Sequence, residues 1–143
     1  MSSMRFKSFL AFFLTLIAII VVIAGFSIKL PRVTLKEEKC EGYSLFLFAD
    51  ENRVSTEVGK GKLIKLRAIN AGEFGDKYEV SLNGPDWVVI KPASFRLKPD
   101  DSKRLFLYIS PPIGTEGKYE IKVTVSSRCV SESQVIEVGV LPE

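Results

Sequence analysis

The chain predicts an all-β domain, an antiparallel sandwich of seven strands, preceded by one N-terminal transmembrane helix. Three observations predict it. Residues 9–28 read FLAFFLTLIAIIVVIAGFSI, twenty positions without a charge. After Pro31 come seven short apolar runs, several alternating with period two. Turn residues separate those runs, and no helical periodicity of useful length appears beyond Pro31.

The apolar segment comes first. As a helix rising about 1.5 Å per residue it would be roughly 30 Å long, the thickness of a bilayer's hydrocarbon core. Arg5 and Lys7 precede it, as in a secretory signal. Its length exceeds the short apolar core of such a signal, and the site after Ala24 is a weak one for cleavage. The expected organisation is a cytoplasmic tail (1–8), a transmembrane helix (9–28), a linker (29–39) and an extracellular β-sandwich (40–143). Cations flank both ends of the helix, so the positive-inside rule is close to balanced. A tail of eight residues is too short to be a domain, and both cysteines lie on the C-terminal side. Both points place the N-terminus inside, with the protein single-pass in the cell membrane. Pro31 stops the helix because it lacks an N–H and disfavours helix at the residue before it.

The strands follow in order. Tyr43–Phe48 is YSLFLF, Leu63–Ile69 is LIKLRAI and Lys77–Leu82 is KYEVSL. Trp87–Ile90 and Phe95–Leu97 make one strand broken at Pro92. Lys103–Ile109, Lys118–Val125 and Val135–Val140 complete the set. Ile64, Leu66 and Ala68 oppose Lys65 and Arg67, which marks a sheet with one buried face. Asn70-Ala71-Gly72, Asn83-Gly84-Pro85-Asp86 and Pro111-Pro112-Ile113-Gly114 supply turn chemistry. Seven strands at this spacing read as an immunoglobulin-like sandwich. Tyr119, just after Gly117, stands where a tyrosine corner would sit; the alternative is plain core.

Residues 59–126 resemble the small accessory β-sandwiches found beside carbohydrate-binding modules of alpha-galactosidases, and the adhesion-type sandwiches of archaeal envelope proteins. The matching features are Gly61, Asn70-Ala71-Gly72, Gly84-Pro85-Asp86-Trp87, Leu97 through Ser102, Ile109-Ser110-Pro111 and Gly117-Lys118-Tyr119. The resemblance covers about half the chain. It implies a fold and a surface location, and it carries over no catalytic residue.

In such a topology Cys40 and Cys129 meet at one end of the sandwich, within reach of an intramolecular disulfide. Free thiols or an intermolecular bridge are the alternatives. That end would face the membrane. The 50–60 loop and the turns at 83–87 and 111–116 would point away from the cell.

Composition bounds the function. The chain has 143 residues and a net charge of +3 at pH 7. After the apolar segment, cations and acids nearly cancel, and no basic stripe for nucleic acid is evident. There is no histidine, which removes the commonest general base and metal ligand. No Gly-x-Ser-x-Gly and no phosphate-cradling loop occurs. Acidic pairs such as Asp100/Asp101 and Asp50/Glu51 read as solvated, without calcium-loop spacing. The expectation is no enzyme, no cofactor and no metal site.

Exposed apolar residues are the better lead. With Leu105, Leu107 and Ile109 inward, Phe106 and Tyr108 face out. With Tyr43, Leu45 and Leu47 inward, Phe46 and Phe48 face out. Together with Leu63 they would form one outer patch for a protein partner in the envelope. Cover by the linker or the C-terminal segment, or reversed facing, is the alternative. Trp87 reads as an end-cap of the core, or else as a platform for carbohydrate. The resulting expectation is a non-catalytic binding or structural module of an archaeal envelope. The competing readings are a stator-like or pilin-like appendage subunit and a carbohydrate-binding accessory of a surface enzyme. Against a pilin, Ser8 rather than Gly precedes the apolar run, which contains no Glu.

Overall fold

A computed structural model describes residues 39–143, and the expected tail (1–8), expected transmembrane helix (9–28) and most of the expected linker (29–38) lie outside the described residues. Residues 39–143 form a unit with its own core. Its strands are β1 (Leu45–Ala49), β2 (Arg53–Glu57), β3 (Lys62–Asn70), β4 (Asp76–Asn83), β5 (Val88–Lys91), β6 (Ser94–Leu97), β7 (Ser102–Ile109), β8 (Gly117–Ser126) and β9 (Ser131–Leu141). They build a four-stranded sheet, β1-β3-β7-β5, and a five-stranded sheet, β2-β9-β8-β4-β6. Among the described residues no helix is long and apolar enough to cross a membrane.

Alternation builds the core. Ile64, Leu66 and Ala68 of β3 and Leu105, Leu107 and Ile109 of β7 point inward and are at most 1% exposed. Ile121, Val123 and Val125 of β8 meet them from the other sheet, with Ile136, Val138 and Val140 of β9 beside them. Each such side chain stabilises the fold by roughly 1.5–3 kcal/mol relative to exposure. The immunoglobulin-like sandwich expected from the sequence is therefore present, with the first, second and fifth predicted strands in one sheet.

The strand count differs: among the described residues nine are seen where seven were expected. The 50–60 stretch, expected as a loop, contains β2. This strand adds to β9 in parallel, with Val54 opposite Val138, so the second sheet is not purely antiparallel. Val54 and Thr56 are buried while Arg53 and Ser55 are exposed. One large apolar residue in five is a weak signal, and the partner is more than eighty residues away. The broken strand at Pro92 is two strands in different sheets. β5 pairs with β7, the chain crosses at the cis Lys91–Pro92 bond, and β6 pairs with β4.

The two cysteines are bridged, with Cα atoms 5.1 Å apart and a separation of 89 positions in sequence. The bridge joins the segment before β1 to the β8–β9 turn, where the Ser127 N–H donates to the Val130 carbonyl at 2.8 Å. The 70–75 turn packs at the same end. Glu73 N–H donates to the Gly42 carbonyl (2.8 Å) and Ala71 N–H to Ser44 (3.0 Å). Gly72 is required there. A Cβ on it would stand 2.6 Å from the Gly42 oxygen and 2.8 Å from the Ser44 nitrogen. Buried Asn70 ties this end together, donating from Nδ2 to the Phe74 (2.8 Å) and Leu97 (3.3 Å) carbonyls and accepting from Gly72 N–H (3.0 Å).

Candidate interaction surface

The outer face of the four-stranded sheet is the candidate site. Its side chains are the outward members of the alternating strands, and register decides which stand together. Phe46 pairs across with Ile69, and Ile69 with Ser102. In the next row Phe48 pairs with Arg67, and Arg67 with Arg104. Then Lys65 pairs with Phe106, and Phe106 with Lys91. The last row is Leu63, Tyr108 and Val89.

All five residues expected on a patch lie on this face. Phe46, Phe48, Leu63 and Tyr108 are between 43% and 54% exposed, and Phe106 is half-buried. They do not form one continuous apolar patch. The Phe46 and Phe48 rings sit 6.1 Å apart on the edge strand β1. Leu63 and Tyr108 sit at the opposite end, beside Val89. Between these clusters run Lys65, Arg67, Arg104 and Lys91, all exposed.

The fold thus assembles a basic band where the sequence shows no basic stripe. Residues 39–143 carry fifteen Lys or Arg and fifteen Asp or Glu, and so sum to zero. The outward strand positions of this face nevertheless hold four cations and no acid. Among the described residues none of the four is ion-paired. The alternation that turns Phe106 outward also turns Arg104 outward. What the sequence does not display is that Lys65, Arg67 and Lys91 come alongside it.

The five-stranded sheet is a contrast. Its outer face mixes Lys77, Arg96, Lys118 and Lys122 with Glu79, Glu120 and Glu137. Arg53 Nε donates to Glu137 at 2.6 Å, which raises the guanidinium pKa. Lys77 lies 3.8 Å from Glu79. Like charges also oppose one another there, Glu120 across from Glu137 and Lys77 across from Arg96. In each pair one member has an opposite charge at hand. Two grooves also belong to this sheet, one lined by β2, β8 and β9 residues, the other by residues around Asp76 and Arg96.

Trp87 is half-buried against the core. Its ring meets Tyr119 edge-on, with centroids 5.0 Å apart and planes at 88°. Trp87 thus packs on the end of the core cluster and keeps part of its surface open to solvent. Tyr119 Oη donates to the Thr115 carbonyl four residues upstream at 2.9 Å, the arrangement of a tyrosine corner. Among the described residues no group of three His, Cys, Asp or Glu could hold a metal ion.

No family model and no curated protein sequence matches this chain. Solved structures do. A family 123 glycoside hydrolase from Clostridium perfringens, studied for glycolipid glycan hydrolysis, matches with a TM-score of 0.60 at 9% identity. The match covers 70% of this chain and 28% of that one, so this chain spans about a quarter of the enzyme's length. Escherichia coli alpha-2-macroglobulin, from its MG7 domain to the C-terminus, gives 0.57 at 18% identity over 73% and 17% of the chains. The seventh PapD-like domain of human CEP192 gives 0.50 at 13% identity, over 68% and 84%. At these identities the likeness is one of fold, an immunoglobulin-like or PapD-like sandwich.

Proposed function

We propose that this chain is a single-pass membrane protein that displays a non-catalytic β-sandwich outside the cell, where it acts by binding. The observation that carries the reading is the outer face of the four-stranded sheet. It leaves Phe46, Phe48, Leu63 and Tyr108 close to half exposed around four unpaired cations, and an exposed apolar cluster of this kind marks a contact surface. The uncharged run at 9–28 supports the anchor. The Cys40–Cys129 bridge suits an oxidising compartment. The resemblance of residues 59–126 to archaeal envelope and carbohydrate-module sandwiches supports a place in an archaeal envelope.

Cross-linking in intact cells tests the reading, with purification through a C-terminal tag and mass spectrometry of the adducts. Cross-links from β1, β3 or β7 to a membrane or envelope component are the expected result. A ladder of self-adducts lacking residues 1–8 would instead establish a pilin-like polymer and overturn the proposal.

A further inference from the structure

We infer that the outer face of the four-stranded sheet docks on an anionic lipid surface, with Arg67 and Arg104 as the headgroup-binding pair. The inference deepens the reading above by naming what this face binds, and it rests on that reading for how the domain meets a membrane.

The charge pattern leads to an anion. Arg67 and Arg104 stand directly opposite one another on β3 and β7. Side chains in such positions start about 5 Å apart, and like charges there oppose pairing of the strands. On the other sheet each like-charged pair has an opposite charge at hand, and here there is none among the described residues. An anion seated between the two guanidinium groups relieves the repulsion and accepts donors from both. Lys65 lies two residues from Arg67 on the same strand face, and Lys91 lies one strand beyond Phe106. The anion-binding area is therefore broad, and it suits many headgroups better than one small ligand.

The apolar residues point to a bilayer rather than to an acidic protein. Phe46 and Phe48 flank one side of the basic band, and Leu63, Tyr108 and Val89 flank the other. Cations at phosphate level with aromatic and aliphatic side chains in the interface is the pattern of peripheral lipid binding. A second copy of this face is excluded as its occupant, because both copies would present four cations and no acid. The segment 29–38 is a poor occupant as well, with Lys29, Arg32 and Lys36 against Glu37 and Glu38. Finally, the eleven residues from 29 to 39 span at most about 40 Å when extended. A domain tethered that closely to an anchor meets lipid at high effective concentration, so weak intrinsic affinity suffices.

The test uses residues 39–143, which contain the buried core and both bridged cysteines and so fold as a unit. Their sedimentation is measured with phosphatidylcholine vesicles, with and without one third phosphatidylglycerol. Binding to the phosphatidylglycerol vesicles that weakens with salt is expected. The double variant Arg67→Glu/Arg104→Glu should lose about thirty-fold or more. Phe46→Ser/Phe48→Ser should also weaken it, and Lys118→Glu/Lys122→Glu, on the other sheet, should not. Equal binding to both vesicle types, or equal loss in the Lys118/Lys122 variant, would overturn the inference. So would the absence of binding to the phosphatidylglycerol vesicles, and arginine-dependent binding of a polyglutamate peptide would then assign the face to an acidic protein. Each variant is first checked for an unchanged circular dichroism spectrum. Carbonate extraction of the full chain from membranes tests the anchor separately, because vesicle binding by residues 39–143 does not need it.

Discussion

Arg67 and Arg104 are direct cross-strand partners on the outer face of the four-stranded sheet, and no acid stands beside them among the described residues. The arrangement opposes folding slightly and favours anion binding, so the two properties should separate in a variant. Replacing Arg104 by Thr removes the repulsion and keeps a residue suited to a strand. The melting temperature of residues 39–143 should rise by about 2 °C while binding to anionic vesicles falls. A variant that lost both stability and binding would show that Arg104 is there for packing.

The Cys40–Cys129 bridge closes nearly the whole domain into a loop and restricts its unfolded chain. Reduction, or the Cys40→Ala/Cys129→Ala variant, should cost about 2–5 kcal/mol. Thermal unfolding with and without dithiothreitol measures it. An unchanged midpoint would mean that the hydrogen bonds of the 70–75 turn hold that end without the bridge.

Gly72 lies against the backbone of Gly42 and Ser44 with no space for a methyl group. Gly72→Ala should therefore lift the 40–44 segment off the 70–75 turn and destabilise the domain by about 2 kcal/mol or more. Faster proteolysis near Gly42, read by mass spectrometry, is the expected sign. Gly59→Ala is a comparison of another kind, since space is open there and the cost comes from its positive φ of 72°.

Trp87 is the chain's one tryptophan, so its fluorescence reports directly on the cap it forms with Tyr119. Trp87→Ala should cost roughly 3 kcal/mol of stability by opening the end of the core. Binding of residues 39–143 to envelope polysaccharide, measured by pull-down, should not depend on it. Polysaccharide binding that vanished in a still-folded Trp87→Phe variant would restore the residue as a sugar platform.

Tyr78 is 1% exposed, and its hydroxyl is pushed up to about 12 from the ordinary value of 10. Burial is the main cause, followed by the charge of Asp76 and then Tyr43. The folded state thus holds its proton more tightly than the unfolded chain does. This contribution is complete below pH 10 and is lost as pH rises from 10 to 12, up to about 3 kcal/mol. Urea unfolding across that range should show the loss, and Tyr78→Phe should flatten it.

Much of the fold was legible in the sequence, for a local reason. A strand with one buried face has to alternate, and β3, β4, β7 and β8 alternate clearly enough to be placed and faced. β2 was hidden because Arg53–Glu57 offers one large apolar residue and takes its hydrogen bonds from a strand near the other end of the chain. The Pro92 break looked like an interrupted strand because nothing local tells a chain that resumes in its own sheet from one that crosses to the other. The aromatic members of the candidate face were likewise legible. Its cations were not singled out, since outward lysines and arginines are ordinary on any solvated strand.

The sequence by itself determined which side chains of a strand stand on the same side. Period-two alternation puts Phe46 with Phe48, and Arg104 with Tyr108, whatever the strand order, and the fold turned those sides away from the core. The tertiary structure alone decided that they share one face with Lys65 and Lys91, and that the acids of a net-neutral domain lie elsewhere. Side-chain direction is a property of the local pleat. Adjacency depends on the pairing of β1 with β3, β3 with β7 and β7 with β5, segments far apart along the chain, and so the charge of a face appears only once the sheet has formed.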